Sequence, residues 1–379
     1  MTQRIRIYQQ GSPEVLQYER FTQEAPAHGQ VQIRHQAIGV NFVDTMFRDG
    51  TFKVPLPWSM GVEAAGVVEA IGQGVDTLKV GDRVGYFFAP GAYAQRRVID
   101  VGALIKLPED ISSEEAAGLL AKGLTAWALL KRAHPVRPGE TVVVHGASGG
   151  VGSLLARWAK SIGATVIATV GSAEKAAIVE SWGLDHVLRA DQPGLAERIR
   201  TLTAGVGAEV VYELVGRQTL DASIDALRTG GALIHVGNAS GTVEVDAQRL
   251  AARAIRYQQP ATPQYVNPQN QDAAACELFE RYREGALGPL TLTRYPLSVC
   301  RGHRGAPGDC PAQAQRLDRV DTLSVPPSAV YQCLGRRHGH GRCIGRDAFV
   351  TSLEQAMPLR CCGTRLFYTQ APPKLPMRQ

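Results

Sequence analysis

Residues 141 to 152 read TVVVHGASGGVG, and the fold turns on them. Thr141 to His145 is an unbroken run of β-branched and apolar residues, the pattern of a strand buried on both faces. A glycine-rich bend follows, and SLLARWAKSIG then sets Leu154, Leu155, Trp158, Ala159 and Ile162 on one helical face. The unit therefore reads strand, tight turn, helix. Such a turn aims free backbone N–H groups and the positive end of a helix dipole at whatever rests on it, which suits a pyrophosphate. Gly146 permits the bend, Gly149 and Gly150 let a ligand approach the backbone, and Gly152 lets helix and strand pack closely. The reading is a dinucleotide site; an ordinary βα loop is the alternative that the motif by itself leaves open.

A second strand, Ala164 to Val170, follows the helix, as a βαβ unit requires. In sites that prefer NAD, an acid near the end of this strand holds the ribose 2′-OH. Here the residues are Thr169, Val170, Gly171 and Ser172, with Lys175 just beyond. A 2′-phosphate meets no carboxylate and an ammonium nearby, so NADPH is expected over NADH. Lys175 is also readable as a solvated helix residue.

The 379 residues allow two domains and a sizeable core. No window is long and apolar enough to cross a bilayer, and the opening residues do not resemble a signal peptide. A cytoplasmic protein is expected. The formal net charge is +6, but residues 299 to 379 hold 12 Lys and Arg against 5 acids, leaving 29 against 30 in residues 1 to 298. The body is nearly neutral and gives no reason to expect nucleic acid. Cysteine is split likewise: Cys276 is alone in the body, while Cys300, Cys310, Cys333, Cys343, Cys361 and Cys362 follow it, and a body with one cysteine suits a reducing compartment.

Up to about Leu120 the chain reads as short strands with turn signals, a small, partly open β-barrel. Ser112 or Ser113 then caps a helix with Glu114 and Glu115 in its first turn. Two more buried strands, EVVYELVG (209 to 216) and ALIHVGN (232 to 238), should end on the same crevice as the glycine turn.

GSPEVL (11 to 16), GVNFVDTMFRDG (39 to 50), GVEAAGVVEAIG (61 to 72), VGDRV (80 to 84), AKGLTAW (121 to 127), HGASGGVG (145 to 152), ELVG (213 to 216) and VGNASG (236 to 241) come in one order and spacing from about residue 5 to 298. With them the body resembles the zinc-free NADPH:quinone oxidoreductases related to zeta-crystallin, within the medium-chain dehydrogenase/reductase superfamily. The resemblance implies an α/β fold: a GroES-like β-barrel domain (1–124), a Rossmann doubly wound parallel sheet binding NADPH (125–260), a return to the catalytic domain (261–298), and an irregular or disordered tail (299–379). It implies that Asn41, Lys122 and Thr125 lie near the nicotinamide, its ribose or phosphates. Gly146, Ser148, Gly149, Gly150 and Val151 would hold the pyrophosphate, Ser172 and Lys175 the 2′-phosphate, and Gly237 and Asn238 the nicotinamide side. A homodimer is implied if the C-terminus is intact. Relatives often place a tyrosine shortly before residue 192; here Arg189 is near, readable as a substitute or as an exposed loop residue.

Zinc alcohol dehydrogenases of the superfamily place a cysteine near Asn41 and a histidine where this chain has Val62. Valine cannot bind Zn²⁺, and the body lacks the four close cysteines of a structural zinc lobe. Without a Lewis acid, oxidation of simple alcohols is implausible, and hydride delivery to a quinone or activated enone remains. Among proton donors, Asp44 is readable as a helix cap or as a site residue. Met46 and Phe52 are apolar where relatives sometimes carry tyrosines, so water is one candidate for protonating the product. Tyr93, His35 and His145 read as packed or satisfied strand residues. The second function class is an NADPH-binding protein with little catalysis and a structural or RNA-binding role.

After Ser298 the pattern gives way to CRGHRGAPGDC, RRHGHGRC and APPKLPMRQ, where a helix and a short closing strand are due. One permitted set of codons for Val299 to Ser324, read one nucleotide further on, spells SAEATEAHQAIARHKRSGSIVLIP and a stop, which is that helix and strand. The competing reading is a metal-binding extension around Cys333, His338, His340 and Cys343. An out-of-frame tail would leave the barrel's edge open. Genomic DNA around codon 298 is expected to carry a single-nucleotide insertion or deletion relative to the body's frame; an uninterrupted frame with matching transcripts would defeat a sequencing error.

Overall fold

The computed structural model describes residues 1–290, 292–297, 320–324 and 365–369. The chain opens with β1 (Thr2–Ile7), β2 (Gln17–Phe21) and β3 (Gln30–Val40), then α1 (Phe42–Asp49). Five strands follow: β4 (Trp58–Ser59), β5 (Glu63–Ile71), β6 (Arg83–Tyr86), β7 (Arg96–Asp100) and β8 (Ile105–Lys106). β3 is the hub, antiparallel to both β5 and β7. It buries Val31, Ile33, His35 and Ala37 in alternation, then Ile38 and Gly39 together. Period-two burial puts one face of a strand on a core, and the final buried run marks where a second layer covers the other face.

That second layer is α2 (Ser113–Ala128), which packs on β3, β5 and β6 on one side and on the Rossmann layer on the other. Ser112 starts it: its Oγ accepts from the Glu115 N–H at 3.1 Å, and Glu115 Oε2 accepts from the Ser112 N–H at 2.8 Å. Ser113 instead donates to Gln36 of β3 at 2.6 Å. A helix covered on two sides is apolar nearly all round, and this one is buried from Ala116 to Ala128.

The second sheet is built from β9 (Thr141–Val144), β10 (Thr165–Val170), β11 (His186–Arg189), β12 (Ala208–Glu213), β13 (Leu227–His235) and β14 (Arg256–Gln258). Between them run α3 (Gly150–Ile162), α4 (Ala173–Glu180), α5 (Leu195–Leu202), α6 (Leu220–Ala226) and α7 (Ala247–Ala252). The strand order is β11-β10-β9-β12-β13-β14, all parallel, with the order reversing between β9 and β12. In β9, Val142 and Val144 face a core shared with Leu155 and Trp158, while Val143 faces another with Leu220 and Ile224. The apolar run at 141 to 145 is thus a strand with a core on each face, as its pattern implied. α8 (Thr262–Tyr265), α9 (Gln271–Arg283) and β15 (Arg294–Tyr295) lead the chain back to the barrel.

Two differences from the sequence reading have local causes. The strand expected over 209 to 216 stops at Glu213, because the Glu213 side chain accepts from the N–H groups of Val215 and Gly216 and turns the backbone out of the ladder. The strand expected over 232 to 238 is β13, which begins earlier, at Leu227, where it pairs with Ala208, and ends at His235.

Of the tail, β16 (Val320–Ser324) and β17 (Arg365–Thr369) are described. β16 runs antiparallel on β3, with Asp321 opposite Val40 and Ser324 opposite Ala37. The edge that an out-of-frame tail was expected to leave open is paired, because a ladder asks only for backbone N–H and C=O groups. The remaining readings on 299–379, including the metal-binding alternative, lie outside the described residues.

Trp158 is 1 % exposed between the parallel sheet and the neighbouring helices. Replacing it with alanine is expected to lower the unfolding free energy by about 3–5 kcal/mol, read as a lower urea midpoint.

Candidate functional site

The carboxyl ends of β9, β10, β12 and β13 all point to one side of the parallel sheet, the side on which ligands of such sheets bind at the reversal of strand order. Gly146 follows β9 at φ +65° and makes the turn. A Cβ on Gly152 would run into the Gly146 carbonyl oxygen, so the first turn of α3 lies against the turn before it only because that side chain is missing. Gly149 occupies the N-cap and offers no side chain to the helix. The first-turn N–H groups at Gly150, Val151 and Gly152 are therefore left for a ligand. Ser148, half-buried, sits in the turn between Gly146 and Gly149.

At the end of β10, Ser172 caps α4, its Oγ accepting from the Lys175 N–H at 3.3 Å. Lys175 is half-buried in the first turn of that helix, with Glu174 exposed beside it. Arg189 lies opposite Val170 across the β10–β11 pairing and forks onto Asp191 at 3.0 and 2.6 Å. It is half-buried and paired, and it ends β11, whereas the sequence reading of an exposed residue placed it in a loop.

At the end of β12, the carboxylate of Glu213, fully buried, accepts from four donors: the N–H groups of Val215 and Gly216, the Thr219 hydroxyl, which lies within reach of both oxygens, and the Ser223 hydroxyl at 2.5 Å. This fixes the loop after β12. Gly237 follows β13, its N–H bonded to the Glu213 carbonyl at 3.1 Å, and Asn238 Oδ1 lies 2.9 Å from His235 Nε2. His145, directly before the glycine turn, places Nδ1 2.7 Å from Thr169 Oγ1, while Nε2 finds no partner among the described residues. Burial pushes its pKa down, so it stands neutral. The sequence reading of a satisfied histidine holds for one ring nitrogen only. His35 is bonded at both, to the Ala94 carbonyl and the Tyr86 hydroxyl.

On the barrel side, Glu63 organises the site, and the sequence reading passed over it. Its side chain is 0 % exposed in β5. Oε1 accepts from the Ala121 N–H at 2.6 Å, and Oε2 accepts from the Lys122 ammonium at 2.8 Å and from Asn41 Nδ2 at 3.0 Å. The visible signal was a lone carboxylate in the apolar run GVEAAGVV, since an acid is almost never fully buried unless paired. Lys122 is buried against it, so among the described residues its ammonium is committed to a carboxylate. Thr125, one turn further along α2, donates to the Ala121 carbonyl at 2.6 Å and lies 2.8 Å from the Thr262 hydroxyl.

Asp44 is buried in the first turn of α1, where Oδ2 accepts from the Asn41 N–H at 2.8 Å and the Tyr93 hydroxyl at 2.9 Å. Burial is the main cause that raises its pKa, to about 7, against the pull of those hydrogen bonds and of Lys122. Asn41, Asp44 and Lys122 are thus joined through Glu63 in one hydrogen-bonded group, while Thr125 bonds to the Ala121 carbonyl and to Thr262 beside it. The apolar positions noted near it differ in exposure: Met46 is half-buried and Phe52 is 44 % exposed. Val62, 1 % exposed, packs as an apolar residue where a zinc ligand would be needed. Among the described residues no three His, Cys, Asp or Glu side chains are grouped to hold a metal ion, and no helix is long and apolar enough to cross a membrane.

Two family profiles match the chain: an alcohol dehydrogenase GroES-like domain over residues 27–109 and a zinc-binding dehydrogenase over residues 150–276. The quinone oxidoreductase of Salmonella typhimurium is 39 % identical over 292 residues, spanning 76 % of this chain and 89 % of the relative. A 2-haloacrylate reductase from a Burkholderia species is 37 % identical, spanning 77 % of this chain and 91 % of the relative. The crystal structure of Escherichia coli quinone oxidoreductase complexed with NADPH superimposes with a TM-score of 0.73 at 37 % identity, covering 76 % of this chain and 89 % of that one. The barrel and the parallel sheet are accordingly a GroES-like domain and a Rossmann domain, as the sequence implied.

Exchanging Glu63 for glutamine keeps the shape and removes the charge, leaving the Lys122 ammonium buried without its partner. The expected loss is about 3–5 kcal/mol of stability in a denaturant titration, with Glu63→Gln/Lys122→Met less destabilised than the sum of the single changes.

Proposed function

Because the chain belongs to the quinone oxidoreductase family of the medium-chain dehydrogenase/reductase superfamily, we propose that it reduces quinones with NADPH, without a metal ion. The observation that carries this reading is the bare first turn of α3, where a side chain at Gly152 would close the space between helix and turn. That cradle fits a dinucleotide pyrophosphate.

When bound, NADPH supplies a hydride from its nicotinamide ring. The first-turn amides of Gly150 and Val151, with Ser148, receive the pyrophosphate. Ser172 and Lys175 take the 2′-phosphate, at a strand end that carries no acid on Thr169, Val170, Gly171 or Ser172. Gly237 and Asn238 line one side of the nicotinamide; Asn41, Lys122 and Thr125 line the other. Glu63 holds Asn41 and Lys122 in place. With valine and asparagine where a metal-dependent relative needs ligands, the acceptor itself must take up the charge that hydride transfer creates. A quinone does so across its conjugated ring, and an activated enone does so less readily; the similarity to a 2-haloacrylate reductase favours including the latter. The same reading divides the chain at residues 124, 260 and 298 and takes a homodimer as the assembly.

Titrating the purified protein with NADPH and NADH by nucleotide fluorescence, then adding a panel of quinones and enones, tests this. NADPH binding with turnover is expected, and binding without turnover supports the NADPH-binding, weakly catalytic alternative. Lys175→Ala is expected to weaken NADPH about tenfold, the equivalent of one charge-assisted contact, and to leave NADH unchanged.

A further inference from the structure

We propose that Asp44 holds the proton delivered to the reduced acceptor, with Tyr93 and Asn41 as the residues that position it; this rests on the quinone-reductase reading above. The two carboxyl oxygens are treated differently by the fold. Oδ2 accepts two hydrogen bonds, from the Asn41 N–H and the Tyr93 hydroxyl. Oδ1 is buried and finds no partner among the described residues. An ionised carboxylate with one bare, buried oxygen holds a charge that nothing on that side solvates; protonating that oxygen removes the charge and leaves the smaller cost of an unpaired hydroxyl. The reciprocal cap of α1, in which Asp44 accepts from the Asn41 N–H, explains Oδ2 and needs only a neutral carbonyl such as asparagine's. It does not explain an ionisable group with a bare second oxygen.

The charges around Asp44 act in the same direction. Lys122, the cation that pulls on it, is already neutralised by Glu63 at 2.8 Å, and the Glu63 carboxylate itself disfavours a second anion. Burial outweighs the hydrogen bonds, and the carboxyl titrates near 7. The arrangement is built from several elements. Tyr93 reaches Asp44 because Gly61 leaves room for its ring, which a Cβ there would strike. Asn41 gives its N–H to Asp44 and its side-chain amide to Glu63, tying the acid to the Lys122 group on α2.

Bound NADPH would supply the hydride, which leaves the reduced quinone with an anionic oxygen to be protonated. For the proton to leave, one water must reach the buried Oδ1 once the acceptor is bound; the O–H bond there then breaks, the water passes the proton on, and a new O–H bond forms at the acceptor. Asp44 is left as a carboxylate and takes a proton from solvent. The balance is one quinone, one NADPH and one proton giving hydroquinone and NADP⁺.

Carbon-13 NMR of aspartate carboxyls in the ligand-free full-length chain is expected to show one aspartate titrating near pH 7, lost in Asp44→Asn. At saturating NADPH, wild-type kcat should fall as pH rises through about 7, since only the protonated form can donate. Asp44→Asn should lose about 100-fold in kcat and that pH dependence, with NADPH affinity by fluorescence unchanged. Tyr93→Phe, which removes a hydrogen bond to the anion, should move the alkaline limb upward. If Asp44→Asn fails to fold, the wild-type titration and pH profile still decide. Active wild type with no aspartate titrating near 7, or Asp44→Asn with wild-type kcat and pH profile, overturns this proposal alone. Wild type that binds NADPH but turns over no quinone at any pH overturns the activity reading, and this proposal with it.

Discussion

Helix α3 begins where it does because Gly152 has no side chain, and the parallel sheet takes its working geometry from that contact. The Gly146 carbonyl occupies the place a Cβ would need. With the helix seated so closely, its first-turn amides stand at the carboxyl end of β9, next to the reversal of strand order between β9 and β12. A larger residue would separate helix from turn, and the N–H groups would no longer converge on one point. The dipole adds to this, because partial positive charge at a helix start acts only within about the first turn. A glycine at the N-cap in place of serine or aspartate follows the same logic: a side chain there would satisfy the amides that a phosphate is meant to use.

Two buried carboxylates hold the loops around that point. Glu213 saturates itself with neutral donors from one short stretch, so it works locally, ending β12 and shaping the crossover to α6. Glu63 draws donors from α1's N-cap and from α2, elements distant in sequence, and so fastens the barrel to the helix that covers it. A buried acid with only dipolar partners rigidifies one loop, while one that needs a cation must import it from another element. Lys122 on α2 is that cation, and α2 also packs on α3. The two halves of the proposed nucleotide site therefore share one helix as their common wall.

Features with a period or a turn signature were legible in the sequence. The double-sided burial of β9, the apolar face of α3 and the cap at Ser112 each follow from local rules, and the structure has them. The end of β12 was not legible, because it depends on where the Glu213 side chain folds back, which no periodicity records. Glu63 was missed for a related reason: its partners lie 22 and about 60 residues away, and a single acid in an apolar run says only that some partner exists. Asp44 was read as either a cap or a site residue, and the structure shows the capping contact. Its local spacing gives the cap, and the bare second oxygen is a property of the packed core alone.

Val62 and Asn41, where metal-dependent relatives need ligands, and the chemistry proposed for the site are connected by charge. A metal would both polarise the acceptor and balance the negative charge that accumulates as hydride arrives. Val62 and Asn41 supply neither function, and the buried cation closest to Asn41, Lys122, is already balanced by Glu63. The site near Asn41 is therefore close to electrically neutral before reaction whenever Asp44 is protonated, and an added electron pair must be accommodated by the acceptor's own conjugation. Quinones meet that demand and simple carbonyl compounds do not. On the proposed reading the site would thus select its acceptors by offering hydride delivery in a nearly neutral setting, where a substrate that needs outside help to bear charge gains nothing.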